Sequence, residues 1–180
     1  MGRSRYKIHE THYPYFITSS FSHGISLFAD PEIASIVLDS FIYIQQEFDV
    51  NLYAYVLMHN HFHCILEGKD ISAVVKKFKS FTARRIIDYL QSQNRTLLLK
   101  RLRFGTSESG DKTYKVWQEG FHPKQINEAS VMIQKINYIH YNPVEAGFVD
   151  AVIDWRYSSA RNYEHLEPLI PITIFNSKEF

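Results

Sequence analysis

The sequence predicts an α+β fold: a ferredoxin-like βαββαβ antiparallel sheet with helices packed on one face, followed by one further C-terminal helix. Two observations predict it. Segments rich in apolar, aromatic and β-branched residues alternate with segments of helical apolar spacing, in the order strand, helix, strand, strand, helix, strand, helix. The chain has 180 residues, 45% of them hydrophobic, which suits one domain. We therefore expect a basic arm at residues 1–12, one domain at 13–163 and a C-terminal tail at 164–180.

The first strand and the first helix have clear local signals. Residues 13–21 are aromatic, β-branched and hydroxyl-bearing, a composition typical of a strand. Asp30 is a candidate N-cap, and Pro31 suits the first helical position. Apolar residues then keep helical spacing as far as Phe48. A strand followed by a helix is thus expected over the first 48 residues.

Two further strands come next, at residues 51–58 and 61–67, both strongly apolar. Only His59 and Asn60 separate them, which predicts a tight hairpin-like connection. Consecutive strands with such a short connection must pair antiparallel.

The second half of the domain is predicted from periodicity and punctuation. Residues 70–93 form a long amphipathic helix, and 94–110 are polar and basic enough to predict a mobile loop. Residues 114–126 indicate a strand or extended segment. A last helix covers 128–142 and should stop there, because Pro143 pushes the preceding residue out of the α region.

Composition excludes several classes of protein. Cys64 is the only cysteine, so neither an intrachain disulfide nor a thiolate zinc cluster can form, and it is expected to be a small buried hydrophobe. We find no signal peptide and no apolar run near the roughly 20 residues of a membrane helix. These features predict a cytoplasmic protein with no membrane partner.

Charge is distributed unevenly along the chain. There are 20 Lys and Arg against 19 Asp and Glu, a net charge of +1 that excludes a histone-like polycation. From Lys76 to Arg103, however, the chain has nine basic residues and only one acidic residue, Asp88, which gives this segment a charge of +8. Such a one-signed segment favours contact with a phosphate backbone. The DNA-binding candidates are Lys76, Lys77, Lys79, Arg84, Arg85, Arg101 and Arg103.

Two smaller features could add to nucleic-acid binding. Arg3, Arg5 and Lys7 can form a second basic arm. Three aromatic residues beyond the basic segment can either stack on unpaired bases or fill the core. These are Tyr114, Trp117 and Phe121.

A histidine pair is the first candidate for chemistry. His61 and His63 are two apart in a predicted strand, so both imidazoles leave the same face of the sheet and can reach one metal ion. With nine histidines in the chain, a His-x-His triplet is a weak signal by itself.

The last predicted helix supplies a third element. Tyr138 and Asn142 are four residues apart and therefore lie on one helical face, where a phenol and an amide oxygen can serve as nucleophile and metal ligand. Tyr141 is the competing tyrosine. The alternative is that both tyrosines are core aromatics and that Asn142 only ends the helix.

Two long motifs, in this order, resemble the IS200-like transposases, and most closely their REP-associated tyrosine transposase branch. They are Ala54–Leu66 (AYVLMHNHFHCIL) and Tyr138–Val149 (YIHYNPVEAGFV). Trp117–His122 and Trp155–Ser159 also fall where that branch has similar residues. The likeness extends from about Tyr13 to Tyr163.

This resemblance implies an HUH endonuclease fold whose signature is His61, Phe62 and His63. It implies that Tyr138 is the nucleophile and that the two histidines hold a divalent metal, Mg²⁺ or Mn²⁺, with zinc compatible on ligand type alone. Asn142 stands where the wider family often has a glutamine ligand, so it is the candidate third ligand.

The implied activity is metal-dependent cleavage and strand transfer of single-stranded DNA that contains a hairpin, through a 5′-phosphotyrosine intermediate. Two alternatives remain open: an inactive hairpin- or REP-binding protein of the same fold, which the Asn142 substitution permits, and a relaxase-like or replication-initiator-like nicking enzyme. The resemblance is compatible with a monomer and with a homodimer that exchanges tyrosine helices.

Overall fold

The computed structural model describes residues 13–106 and 112–177. The expected basic arm, with Arg3, Arg5 and Lys7, lies outside the described residues. The strands are β1 Tyr15–Ser20, β2 Asn51–Leu57, β3 His61–Glu67, β4 Arg103–Thr106, β5 Lys112–Tyr114 and β6 Lys124–Gln125. The helices are α1 Pro31–Glu47, α2 Ile71–Ser92, α3 Thr96–Leu102, α4 Ala129–Glu145 and α5 Ala160–Tyr163.

Four strands form the main sheet in the order β2-β3-β1-β6, and every neighbouring pair is antiparallel. The first and third strands are therefore central, as the βαββαβ pattern requires, with the short β6 as the fourth strand. Strands β4 and β5, which lie between α3 and β6 in the sequence, form a separate two-stranded sheet. The predicted α+β, ferredoxin-like class is confirmed.

Helices cover both faces of this sheet. On one face, α1 and α2 bury a large aromatic and aliphatic core in which the Phe41 ring lies 5.6 Å from Phe62 and 4.8 Å from Phe78. On the other face, α4 closes a smaller cluster around Phe16 and Ile65. The expected additional C-terminal helix is thus the one that packs opposite the other two.

A β-bulge in β2 adjusts which residues face which core. The register shifts between Leu52 and Ala54, which pair with the consecutive residues Leu66 and Ile65. Leu52 therefore belongs to the α1/α2 core and Ala54 to the α4 cluster, although they are two residues apart.

Both long helices on the α1/α2 face begin at an aspartate cap. The Asp30 carboxylate accepts a hydrogen bond from the Glu32 amide at 3.1 Å, and Asp70 accepts one from Ala73 at 3.1 Å. The predicted cap at Asp30 is confirmed, and α1 ends at Glu47 where its apolar spacing stops. Neither these helices nor the others among the described residues are long and apolar enough to cross a membrane.

The prediction of a mobile loop at 94–110 was wrong for its first part. Residues 96–102 form α3, and β4 follows it directly. Leu102 is fully buried, and Leu98 and Leu99 pack against the α1/α2 core. The basic residues between these leucines hid their helical spacing, and the segment was therefore predicted to be a loop. Burial of its apolar side against the core stabilises the helix despite the high positive charge of the segment.

Pro143 does not stop the last helix, which continues to Glu145. Proline removes one backbone donor, but so near the end of a helix only one hydrogen bond is lost. The chain leaves the helix four residues later, at Gly147, whose φ of 72° is readily adopted by glycine. The Pro143 ring is itself buried against the fold.

The expected tail at 164–180 packs on the domain as far as it is described. Ile170 is buried in the α1/α2 core, and the Thr173 amide donates to the Leu52 carbonyl at 2.9 Å. This segment therefore covers part of the β2 edge.

Candidate active site

The histidine pair lies on the α4 face of β3, with ring centroids 4.8 Å apart. His61 Nδ1 is 2.7 Å from Asn60 Oδ1, and His63 Nδ1 is 2.8 Å from Thr18 Oγ1. Thr18 lies opposite His63 because β1 and β3 pair in that register. An amide oxygen can only accept, so His61 Nδ1 carries the proton and its Nε2 keeps a free lone pair. The same geometry allows His63 to present Nε2.

Burial keeps these imidazoles neutral. It lowers the pKa of His61, and it lowers the pKa of His63 to about 3, with the neighbouring His61 and Lys135 adding to the effect. His63 is only 6% exposed. Since a neutral imidazole is the form that donates a lone pair to a metal, both side chains are suited to ligation at neutral pH.

Tyr138 lies directly beside this pair. Its ring centroid is 5.5 Å from that of His63 and 5.8 Å from that of Phe16, and the side chain is 40% exposed. Tyr141, one helical turn away, is 54% exposed and makes no ring contact or hydrogen bond with another described residue. The two tyrosines therefore differ in position: only Tyr138 combines access to solvent with proximity to His63.

A cleft of about 460 Å³ opens in front of these groups. Beyond the predicted residues, Lys135 is the notable member, with its Nζ 5.2 Å from the Phe16 ring centroid and 5.7 Å from that of Tyr138. The cleft is lined by Phe16, Thr18, His63, His122, Pro123, Lys124, Lys135 and Tyr138.

Sequence reasoning missed Lys135 and Thr18. Lys135 had an available signal, because it precedes Tyr138 by three residues and so shares its helical face. Thr18 had none, since the pairing register of β1 with β3 alone places it across from His63.

Asn142 follows Tyr138 by one helical turn and is half-buried. Its side chain makes no hydrogen bond to any other residue in the described part of the chain, and its role as a ligand stays a prediction. In that same part, no group of three His, Cys, Asp or Glu side chains is placed to hold a metal. Two neutral imidazoles nevertheless fit a divalent ion that takes its other ligands from an amide oxygen, water or a phosphate.

Most of the predicted DNA-binding residues lie away from this cleft. Helix α2 packs on the opposite face of the sheet from the histidine pair. Arg84 forms an exposed ion pair with Asp88 at 3.0 Å. Six of the seven predicted DNA-binding residues are exposed along α2, α3 and β4: Lys76, Lys77, Arg84, Arg85, Arg101 and Arg103.

Lys79 differs from the other predicted basic residues because it is half-buried. Its ammonium donates to the Gln118 carbonyl at 2.8 Å and to the Gly120 carbonyl. Burial, with Lys115 nearby, lowers its pKa to about 8. Lys79 therefore ties α2 to the segment before β6 and is not directed into solvent.

Of the two roles considered for the aromatic residues, stacking on bases and filling the core, Trp117 has the second. It is 5% exposed, its ring stacks on Phe21 at 4.2 Å, and its indole Nε1 donates to Thr82 Oγ1 at 3.0 Å. Tyr114 and Phe121 are half-buried, so part of each ring remains accessible.

Three comparisons relate the chain to known proteins. A curated protein of Haemophilus influenzae described as a REP-associated tyrosine transposase is 35% identical over 74 residues, which are 41% of this chain and 42% of that relative. A structure of a REP-associated tyrosine transposase bound to a REP hairpin superposes with a TM-score of 0.68 and 18% identity, covering 98% of this chain and 96% of that one. A Deinococcus radiodurans structure described as a transposase gives a TM-score of 0.47 and 19% identity, covering 75% of this chain and 94% of that one.

The match to a family model is broader than the match to the curated relative. The model described as "Transposase IS200 like" matches residues 25–142, well over half of the chain. That range includes both histidines of the pair, Tyr138 and Asn142. The chain therefore belongs to the IS200-like transposase family.

Proposed function

We propose that the protein is a metal-dependent endonuclease and strand transferase for single-stranded DNA, with Tyr138 as its nucleophile. The observation that carries the proposal is the position of Tyr138, which borders the same cleft as His63 at 5.5 Å between ring centroids. A transposase must break and rejoin DNA strands, and a solvent-accessible phenol beside two neutral imidazoles is suited to that chemistry.

The proposed substrate is a DNA strand with an adjacent hairpin. Two similar proteins support this: one is described as REP-associated, and the other has a REP hairpin bound. The exposed basic residues of α2 and α3 offer a surface for the phosphate backbone. A DNA substrate is also consistent with action in the cytoplasm.

The proposed step is an exchange of one phosphoester for another. The Tyr138 oxygen attacks the scissile phosphorus, and the bond from phosphorus to the 3′-oxygen breaks. The product is a 5′-phosphotyrosine, and the phenolic proton is in net terms transferred to the leaving 3′-hydroxyl. Attack by another 3′-hydroxyl on the phosphotyrosine reverses the exchange and joins strands without an external energy source.

His61 and His63 are the proposed metal-holding residues, with Asn142 as a third candidate ligand. A bound Mg²⁺ or Mn²⁺ would supply positive charge that stabilises the phosphate as it is attacked. The protein itself contributes orientation: Asn60 and Thr18 hold the two imidazoles by their Nδ1 atoms, so that both Nε2 atoms are presented.

We also propose that one chain completes the site. Tyr138 and the histidine pair come together within the same chain, so an exchange of helices between two copies is not needed to assemble them. A monomer is therefore the expected active form.

The decisive experiment traps the covalent intermediate. Incubation with Mn²⁺ and a labelled single-stranded hairpin oligonucleotide should give an adduct that survives denaturing electrophoresis. Tyr138→Phe should abolish it, because the attacking oxygen is removed. Tyr141→Phe is the matched control and should retain it. An adduct that persists in Tyr138→Phe would overturn the assignment of the nucleophile, and its loss in Tyr141→Phe would assign the role to Tyr141.

A further inference from the structure

A second groove, of about 470 Å³, lies between α2 and residues 114–121. It is on the α1/α2 side of the sheet, opposite the cleft that Tyr138 lines. Helix α2 contributes Lys76, Lys79 and Ala83, and the extended segment contributes Tyr114, Lys115 and Phe121. Its volume is within the roughly 300–1,000 Å³ of typical ligand sites.

The two cavities are separated by a single extended segment. That segment runs beside β1: the Gln118 amide donates to the Ser20 carbonyl at 2.8 Å, and the His122 amide donates to Thr18 at 3.4 Å. Phe121 lines the groove, while the next residue, His122, lines the cleft. A strand that leaves the cleft past His122 therefore needs to cross only one backbone to enter the groove.

The chemistry of the groove suits a nucleotide. Three lysines line it against one acid, Glu119, which already pairs with Lys115 at 3.7 Å. Lys76 is exposed at the rim and can meet a phosphate. Tyr114 and Phe121 leave part of their rings accessible, as a stacking surface for a base requires.

The wall between the cavities is held in place by Lys79. Its ammonium donates hydrogen bonds to the carbonyls of Gln118 and Gly120, so α2 and the segment are tied together along the groove. Ser80 and Ala83 on the same stripe of α2 are small and leave the space open.

We propose that this groove binds the unpaired nucleotides next to the scissile phosphate, with bases against Tyr114 and Phe121 and a backbone phosphate at Lys76. The inference rests on the proposed function, because it assigns a place to a strand whose scissile phosphate lies at Tyr138. It makes the groove a candidate determinant of which flanking sequence is accepted.

Photocrosslinking locates the flank directly. Hairpin oligonucleotides carrying 5-iododeoxyuridine at one position of the single-stranded flank, scanned on both sides of the scissile phosphate, are irradiated with the wild-type protein and analysed by peptide mass spectrometry. At least one flank position should crosslink to Tyr114 or Phe121. Crosslinks only to residues outside the groove would overturn the inference.

Binding measurements provide an independent test. Phe121→Ala should weaken binding of a flanked hairpin by roughly five- to 150-fold, the range expected for one stacked base, and leave binding of the hairpin without a flank within twofold. Phe81→Ala removes the same group from an exposed position outside the groove and should change neither. Equal weakening with both oligonucleotides would contradict the inference.

The two proposals fail in different ways. If the Tyr138 adduct forms but flank binding does not depend on the groove, the nuclease assignment stands and this inference is wrong. If neither an adduct nor flank binding is observed, both are wrong.

Discussion

The two faces of the central sheet share their strands and have different uses. Along β3, Phe62, Cys64 and Leu66 point into the α1/α2 core, where each is at most 2% exposed. The alternate residues His61 and His63 point to the α4 face, where His63 lines the cleft. One strand therefore supplies both the interior of the domain and the proposed chemistry.

The difference follows from how many helices cover each face. Strands are about 4.8 Å apart and a helix with its side chains is about 10–12 Å wide, so one helix cannot cover four strands. Helices α1 and α2 together close their face. Helix α4 lies over β2 and β3, and the β1/β6 side is left open as the cleft lined by Phe16, Thr18 and Lys124. Polar side chains such as Thr18 and Lys124 lie on this uncovered part of the sheet.

Substitutions at two neighbouring residues of β3, whose side chains point to opposite faces of the sheet, should distinguish the functions of the two faces most clearly. His63→Ala should lower the initial rate of adduct formation with Mn²⁺ by about 10²–10³-fold, because one of the two imidazoles proposed to hold the phosphate-stabilising metal is lost. Cys64→Ala should keep that rate within twofold and lower the free energy of unfolding by about 1 kcal/mol. Trapping kinetics and urea unfolding measure the two effects.

An equal effect of the two substitutions on adduct formation would contradict the proposed difference between the two faces of the sheet. If Cys64→Ala reduced adduct formation as strongly as His63→Ala at equal folded fraction, the two faces would not be functionally distinct. Circular dichroism of both variants controls for loss of structure.

The α4 face should also make stability depend on pH. His140 is buried at 7% exposed, bonds Ser159 Oγ at 2.9 Å, and has its pKa lowered by burial to about 4. Between about pH 6.5 and 4 the unfolded chain binds a proton that the folded one does not, so stability is present above pH 6.5 and is lost as pH falls. This histidine alone should contribute up to about 3 kcal/mol of that loss.

Urea unfolding at pH 7 and pH 4.5 tests the effect. His140→Gln keeps an amide that can bond Ser159 but does not titrate, so the loss between the two pH values should be smaller than in the wild type. An unchanged loss would show that His140 does not titrate in this range.

The smallest expected effect concerns Lys135, the basic residue of the cleft. Lys135→Met should lower the rate of adduct formation by about tenfold, a change of about 1.4 kcal/mol, since a positive charge near the phosphate is removed. Lys135→Arg should restore part of it. Lys69→Met removes a charge beyond the other end of β3 and is the control, with less than a twofold change expected.

Local patterns were sufficient for much of the fold and for the main site residues. The strand at 61–67 and the helix cap at Asp30 have the bounds and the contact that their sequence signals predict. Strand alternation also places His61 and His63 on one face, and helical spacing places Lys135 beside Tyr138. These are relations between residues a few positions apart, so backbone geometry alone determines them.

What the sequence by itself determined, then, is the order of the main strands and long helices, the shared face of His61 and His63, and the family motifs. Only the tertiary structure decided that α4 packs opposite α1 and α2, that Thr18 meets His63, that Lys79 bonds the carbonyls of Gln118 and Gly120, and that residues 96–102 are helical. Each of these depends on which distant segments share a register or a core. Burial and pairing between elements far apart in sequence outweigh local preference there, and no short window of residues contains that information.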